Sequence, residues 1–255
     1  PSIMGIAIAM TDTHTHSTHD DSASSVEPPN TRLYLGRDLA WLDFNERVLA
    51  QSEDTSRPLF DRLRFLAICE SNLDEFFMKR AALLRRRIEL GIDKLAHDGL
   101  SVRKQLAAAR KQVHRVVQRQ TALWNESLRP QLIEEGIRIT AVEDLPGRYQ
   151  NRVDDWFHRH VFPLLTPLAV DPGHPFPFIS NLSRNFGVLL ADPGESERRF
   201  ARVKIPDSIP SWIRVPSHGP VGEIQDTTPC RVVRVADIVR RNLEAIFPGM
   251  QILDV

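Results

Sequence analysis

From Val102 onward, apolar side chains recur at alternating spacings of four and three: Val102, Leu106, Ala109, Val113, Val116, then Gln120 and Leu123. Such a seven-residue repeat lays one continuous stripe along a helix, and the stripe needs a partner surface. Gln120 is its one interruption. Read from Val102 to Leu128, the helix is about 40 Å long at 1.5 Å per residue, with Pro130 as its expected end.

The partner is expected just upstream. A helix from Asp38, taken as its N-cap, to about Gln51 turns Leu42, Val48 and Leu49 inward, with Trp41 and Phe44 flanking. A second starts near Pro58, which suits a first helical turn. It carries Leu59, Leu63 and Leu66 on one side and runs to about Cys69. A third is expected to begin at Asn72, with Glu75 three residues on in the manner of a capping box. Leu73, Phe76, Phe77, Arg80, Leu84 and Ile88 trace one side of it, and Gly91 stops it. The third and fourth helices are expected to pair as a long antiparallel hairpin.

After Leu132 the texture changes. Ile137 and Ile139 mark a short strand, and Arg148 to His160 reads as a helix closed by Pro163. Then come many prolines and short β-like runs: Phe186 to Ala191, Phe200 to Ile205, Trp212 to Val215 and Arg231 to Val235. A helix from Ala236 to Phe247 and a strand from Met250 to Val255 follow. The fold class expected is α+β: an all-α N-terminal domain with the helical hairpin, then an α+β domain that stops on a strand and reads as truncated. The boundaries are 1–31 for a disordered tail, 32–132 for the helical domain and 133–255 for the second domain.

Composition narrows function only by exclusion. The 33 basic residues balance the 33 acidic ones, so net charge argues for neither a nucleic-acid nor a membrane partner. Two cysteines, Cys69 and Cys230, make no disulfide framework, and the plain expectation is a cytoplasmic protein. No apolar run approaches the roughly 18 residues of a membrane span. The start is read as ragged, with Met4 or Met10 as initiator. His14, His16 and His19 lie in a Thr/His/Ser/Asp tract read as disordered tail, with nothing apolar nearby to fix a metal geometry.

The familiar catalytic signatures are missing: no phosphate loop, no GxGxxG, no HExxH, no GxSxG and no zinc ligand set. No catalytic residue and no metal ligand is assigned. Asn72 is the one candidate contact, because an amide can read an adenine edge and an adjoining helix N-terminus would favour anions. Helix capping is the simpler reading of the same residue. Arg103, Lys104, Arg110, Lys111, Arg115 and Arg119 form a basic stretch without an acid. It is read as a solvated face opposite the stripe, with polyanion binding as the alternative. His174, in Asp171-Pro172-Gly173-His174-Pro175, is read as a turn residue and not as a catalyst.

Three segments carry a resemblance. Tyr34-Leu35-Gly36-Arg37-Asp38-Leu39-Ala40-Trp41-Leu42-Asp43-Phe44-Asn45-Glu46-Arg47-Val48-Leu49 is the first. Pro58-Leu59 through Phe65-Leu66, followed by Ser71-Asn72-Leu73-Asp74-Glu75-Phe76, is the second. Pro163-Leu164-Leu165-Thr166-Pro167-Leu168-Ala169-Val170-Asp171 with His174-Pro175-Phe176-Pro177-Phe178-Ile179-Ser180-Asn181-Leu182-Ser183 is the third. In this order they resemble polyphosphate kinases of the long, phosphohistidine-forming bacterial type, over about Leu33 to Val255.

The resemblance implies an N-terminal helical domain and a head domain, with two catalytic domains of the family having no counterpart here. It implies reversible transfer of ATP's terminal phosphate to polyphosphate through a phosphohistidine, a covalent route suited to a histidine nitrogen. It places the family's ATP-contacting asparagine on Asn72. It also implies Mg2+ held by residues outside this chain, and homo-oligomers formed through the N-terminal and head domains. By itself the fragment is expected to be inactive. Two alternatives stand beside this: a non-catalytic self-association or polyanion-binding helical module, and a nucleic-acid-binding helical protein. Zero net charge and few aromatics near the basic helix count against the second.

Overall fold

A computed structural model describes residues 36–255 apart from 93, 97, 172, 195–196 and 224–228. The expected disordered tail and its histidines lie outside the described residues. The chain forms two compact units, Pro1–Gln131 and Leu132–Val255.

The described part of the first unit is helical. Helix α1 spans Arg37–Glu53, and α2 spans Leu59–Glu75. The chain continues without a break through a π-helical turn, Phe76–Ala81, into α3, Ala82–Glu89. Helix α4, Val102–Leu123, likewise passes through a π turn, Trp124–Leu128, into α5, Arg129–Glu134. The two long arms form the expected antiparallel hairpin. α3 packs on α4 near the connection. At the far end Arg62 of α2 bonds Ser127 and Gln131.

Three local expectations are corrected. There is no helix boundary at Asn72, which lies inside α2. Asp38 sits in the first turn of α1 behind Gly36 and makes no cap hydrogen bond. Pro130 does not end the fourth helix. The π turns explain how both arms run on. Buried positions along the first arm are Leu66, Cys69, Leu73, Phe76, Ala81 and Leu84, spaced three, four, three, five and three. The five-residue step from Phe76 to Ala81 is the π turn itself, which holds the stripe on one face. In the second arm the wider turn lies just before Pro130, where a residue without an N–H must be accommodated.

The stripe on α4 buries Val102, Ala109, Val113, Val116 and Gln120. Each fully buried valine contributes on the order of 2 kcal/mol. Gln120 interrupts the repeat because its side chain hydrogen-bonds Glu70. On α1, Val48 packs against the core while only partly buried, and Phe44, expected to flank the inner face, is exposed. The fully buried positions are Leu42, Asn45, Leu49 and Ser52, spaced three, four and three.

In the second unit, α6 (Gly147–His160) buries Tyr149, Val153 and Phe157 against two sheets. Strands β1 (Ile137–Ile139), β5 (Trp212–Arg214) and β6 (Cys230–Arg234) form one, ordered β1-β6-β5, with β1 parallel to β6. Strands β2 (Pro167–Val170), β3 (Arg184–Ala191), β4 (Arg198–Ile205) and β7 (Gln251–Asp254) form an antiparallel sheet ordered β2-β4-β3-β7. Alternation is clear on the central pair, where Val188, Leu190, Ala201, Val203 and Ile205 point into the core.

β2 was hidden in the proline-rich run. Pro167 opens an edge strand there, where a missing N–H is tolerated. The helix expected over Ala236–Phe247 divides into α7 (Val235–Arg241) and α8 (Leu243–Ile246). Asn242 at the break bonds Asp154 Oδ1 and the carbonyl of Ile238 through its own amide.

Candidate functional site

Helices α1 and α2 pack antiparallel, and their contacts form successive rungs. Arg80, in the π turn that follows α2, lies 3.8 Å from the carboxylate of Asp38. Trp41 stacks on Phe76, ring centroids 5.5 Å apart and 22° from parallel. One turn further along α1, Asn45 meets Asn72. Asn72 Nδ2 donates to Asn45 Oδ1 at 2.9 Å, and Asn45 Nδ2 donates to the carbonyl of Cys69 at 3.0 Å.

Asn45 is fully buried. A buried amide needs partners at both ends, and here it has them. The chain of bonds orients both amides: Asn45 turns its oxygen to Asn72, so Asn72 must offer nitrogen. The carbonyl oxygen and second amide hydrogen of Asn72 lie outside this chain of bonds. Asn72 is half-buried. Its amide therefore has one acceptor and one donor in a fixed orientation, the pair needed for a bidentate contact with an adenine edge.

Just beyond Asn72 is a cleft of about 340 Å³ lined by Trp41, Glu75, Phe76, Lys79, Arg80 and Leu83. Asn72 stands one helical turn before Glu75 and Phe76, next to this lining. Two cations reach the cleft, Lys79 tied to Glu75 at 2.6 Å and Arg80 next to Asp38. Carboxylates crowd the other side. Burial pushes Glu70 above its ordinary value, and the Asp74 charge adds to the shift. Burial also raises Asp74. Asp38 is raised mainly by burial, with Asp98 reinforcing it, against the pull of Arg37 and Arg87. Carboxylates thus cluster beside Asn72, and the two cations, each next to a carboxylate, lie one to two turns further on.

The helix N-terminus expected to draw anions to Asn72 is not there, because α2 runs through it. Glu75 makes no capping box and pairs with Lys79. The basic stretch of α4 also divides. Arg119 bonds Glu53 at 2.8 Å and lies 3.3 Å from Glu46, with Arg115 3.8 Å from Glu46. These two arginines dock α4 on α1, so they are not a free polyanion surface. Arg103, Lys104 and Lys111 are exposed.

In the second unit His174 lies in the expected turn. Asp171 Oδ1 accepts from the backbone of Gly173 and His174, and Asp171 faces His174 Nδ1 at 3.0 Å. The segment around it leaves large apolar side chains in solvent, Phe178 most of all at 86%.

Sequence reasoning missed Asn45 and the Trp41–Phe76 stack. A readable signal existed for Asn45: it falls on the apolar stripe of α1 between Leu42 and Leu49.

Among the described residues no group of three or more His, Cys, Asp or Glu side chains is placed to hold a metal ion. No helix among them is long and apolar enough to cross a membrane.

Comparison with known proteins gives consistent matches. Residues 34–140 match the family model "Polyphosphate kinase N-terminal domain", and residues 148–255 match "Polyphosphate kinase middle domain". A polyphosphate kinase of Mycobacterium avium (strain 104) is 42% identical over 234 residues, 91% of this chain and 32% of that protein. One from Thermosynechococcus vestitus is 42% identical over 229 residues, 89% of this chain and 31% of its own length. The crystal structure of polyphosphate kinase from Porphyromonas gingivalis superposes with a TM-score of 0.70 at 28% identity, over 90% of this chain and 32% of that one. The chain thus spans 31–32% of the length of these relatives. Both family models match in order along one chain, and an all-helical unit precedes an α+β unit as the resemblance implied; the chain belongs to the polyphosphate kinase family and corresponds to that family's N-terminal and middle domains.

Proposed function

We propose that this chain is the nucleotide-positioning and head portion of an ATP–polyphosphate phosphotransferase. The reaction is reversible transfer of ATP's terminal phosphate to polyphosphate through a phosphohistidine, with the covalent step carried by residues outside this chain. Asn72 contacts the adenine. The observation that carries this reading is the oriented, half-buried amide of Asn72 next to the cleft at Trp41 and Phe76. The placement of these charged groups gives the nucleotide a direction. The neutral base lies toward Asn72 and its raised carboxylates, and the phosphates run toward Lys79 and Arg80. No step is assigned to a metal on this chain, and the magnesium implied by the family is taken to be held elsewhere. A cytoplasmic location goes with this reading.

ATP titration of this chain tests it. Binding is expected to be weak, because only part of a pocket is present. Asn72→Ala is expected to weaken it by about fivefold to tenfold, the loss of one or two hydrogen bonds. Equal affinities of the two forms would reduce Asn72 to a packing residue.

Self-association is the second reading, favoured by the solvent-exposed side chains of Phe176, Phe178 and Leu182 in the second unit. Sedimentation equilibrium is expected to show a concentration-dependent dimer that Phe178→Ser weakens. A monomer at all concentrations would dispose of it.

A further inference from the structure

Tyr149 lies in the first turn of α6, buried to 2% exposure. Three guanidinium groups gather round its ring. The central carbons of Arg148 and Arg231 each lie 4.8 Å from the ring centroid, and that of Arg152 lies 5.8 Å away. Arg148 and Arg152 are four residues apart on α6, on one helix face. Arg231 comes from β6, more than seventy positions later in the chain, so its arrival is a property of the fold. On the neighbouring strand β1, Arg138 is in register with Arg231 and is exposed.

These cations have neutral partners. Arg148 donates to the Tyr149 hydroxyl at 3.0 Å. Arg231 donates to Ser217 Oγ at 3.4 Å. Arg152 donates to the carbonyls of Pro216 at 2.8 Å, Ser217 at 3.5 Å and Gly219. Among the described residues no ion pair joins any of the three to a carboxylate. Other arginines of the same unit have such partners: Arg199 with Asp192, Arg234 with Asp237 and Arg241 with Asp154. Glu223 lines the same small depression as Arg231 without pairing to it.

Arg148 and Arg231 lie within about 10 Å of each other, twice 4.8 Å at most, which is no more than about one Debye length in ordinary buffer. Like charges held this close without a counter-charge raise the local potential and draw in an anion. A guanidinium suits phosphate oxygens, which it binds in pairs of parallel hydrogen bonds. The Tyr149 phenol reports the same field: its pKa is pulled below the ordinary value by hydrogen bonding from Ser217 and from Arg148.

We propose that Arg148, Arg152 and Arg231, set around the Tyr149 ring, bind a chain of phosphates, and that the ligand is inorganic polyphosphate. Naming that ligand rests on the reading of polyphosphate as the family substrate. A nucleotide's phosphate tail shares the chemistry, but Tyr149 is buried beneath the guanidiniums and cannot stack a base. Three spaced forks fit a run of phosphates better than a single one.

Calorimetric titration of this chain with long-chain polyphosphate, tripolyphosphate, ATP and sulfate, each across a salt series, tests the proposal. Polyphosphate is expected to bind at least tenfold tighter than ATP or sulfate. The double variant Arg148→Gln/Arg231→Gln is expected to lose tenfold or more, with a salt slope lower by about two. Lys111→Gln, on an exposed part of α4, is expected to leave binding unchanged. Should the double variant fail to fold, arginine-specific modification of the wild-type chain decides the matter. Polyphosphate is expected to protect Arg148 and Arg231, as mapped by mass spectrometry. Equal modification with and without polyphosphate, or a folded double variant that binds like wild type, overturns the site. Either result leaves the ATP titration at Asn72 standing as a separate test of the family reading.

Discussion

Asn72 and Asn45, 27 positions apart in sequence, share one hydrogen bond of 2.9 Å that orients both side-chain amides. Asn45 is the buried member and passes the bond chain on to the carbonyl of Cys69. Asn72 is the accessible end. The candidate ligand contact is thus held by a residue that no ligand at Asn72 needs to touch.

Replacing Asn45 with alanine leaves the buried Cys69 carbonyl without this donor and Asn72 without its acceptor. A loss of about 2 kcal/mol is expected from urea unfolding of the chain. Asn72→Ala should cost less than about 1 kcal/mol, because its group can rehydrate. The double variant should show a coupling of about 1 kcal/mol. Strict additivity would mean that the bond does not operate in solution.

Arg62 is 2% exposed, and its hydrogen bonds go to neutral acceptors. Its guanidinium donates to the carbonyl of Ser52 at 2.8 Å, to Gln131 Oε1 at 3.1 Å and to Ser127 Oγ at 3.0 Å. It thereby ties the start of α2 to the end of the second arm. Arg62→Met keeps most of the volume and removes every donor. A destabilisation of about 3 kcal/mol is expected, and one below about 0.5 kcal/mol would show that those acceptors find other donors. Arg62→Lys should cost less but still be measurable, since a point charge cannot span three acceptors.

The thiol of Cys69 is pushed up to about 12, chiefly by burial and then by the charge of Glu70. An unfolded thiol loses its proton near pH 8.5. Between these two values the folded chain holds a proton that the unfolded chain has released, so stability falls as pH rises through that window. The decline should approach 1.4 kcal/mol per pH unit, and Cys69→Ala should flatten it. At pH 8, thiol reagents should label folded Cys69 no faster than the chain opens. Rapid labelling would contradict its burial.

Glu70 offers a test of the same sign in the acid range. Its folded-state pKa is raised by burial and by Asp74, so its contribution to stability is fully present below the unfolded value and is lost as pH rises through the folded one. Glu70→Gln removes the buried charge and keeps an oxygen for the Gln120 amide. The variant should melt at a higher temperature than wild type at pH 7, and the gap should close toward pH 3.5. A gap that persists in acid would point to packing and not to charge.

Much of the architecture was legible locally. The alternating four-and-three spacing from Val102 predicted a long helix with a partner, and the hairpin has that form. The runs at Phe186 and Phe200 predicted the two central strands within two residues. Periodicity works there because the apolar face of an amphipathic element is written at fixed intervals along it. It fails where a residue has two local options and a distant group chooses between them. Asn72 can cap a helix or sit inside one, and its amide is engaged by Asn45. Pro130 can end a helix or follow a wider turn, and the π turn at Trp124–Leu128 allows the second.

The sequence alone determined the family, the order of helical and mixed segments, and Asn72 as the residue to question. Only tertiary structure decided which amide faces Asn72, which arginines of α4 are tied to α1, and that Arg231 meets Arg148 over the Tyr149 ring. The physical reason is range. Periodicity and capping act within a few residues, whereas burial and charge depend on whatever the fold brings alongside.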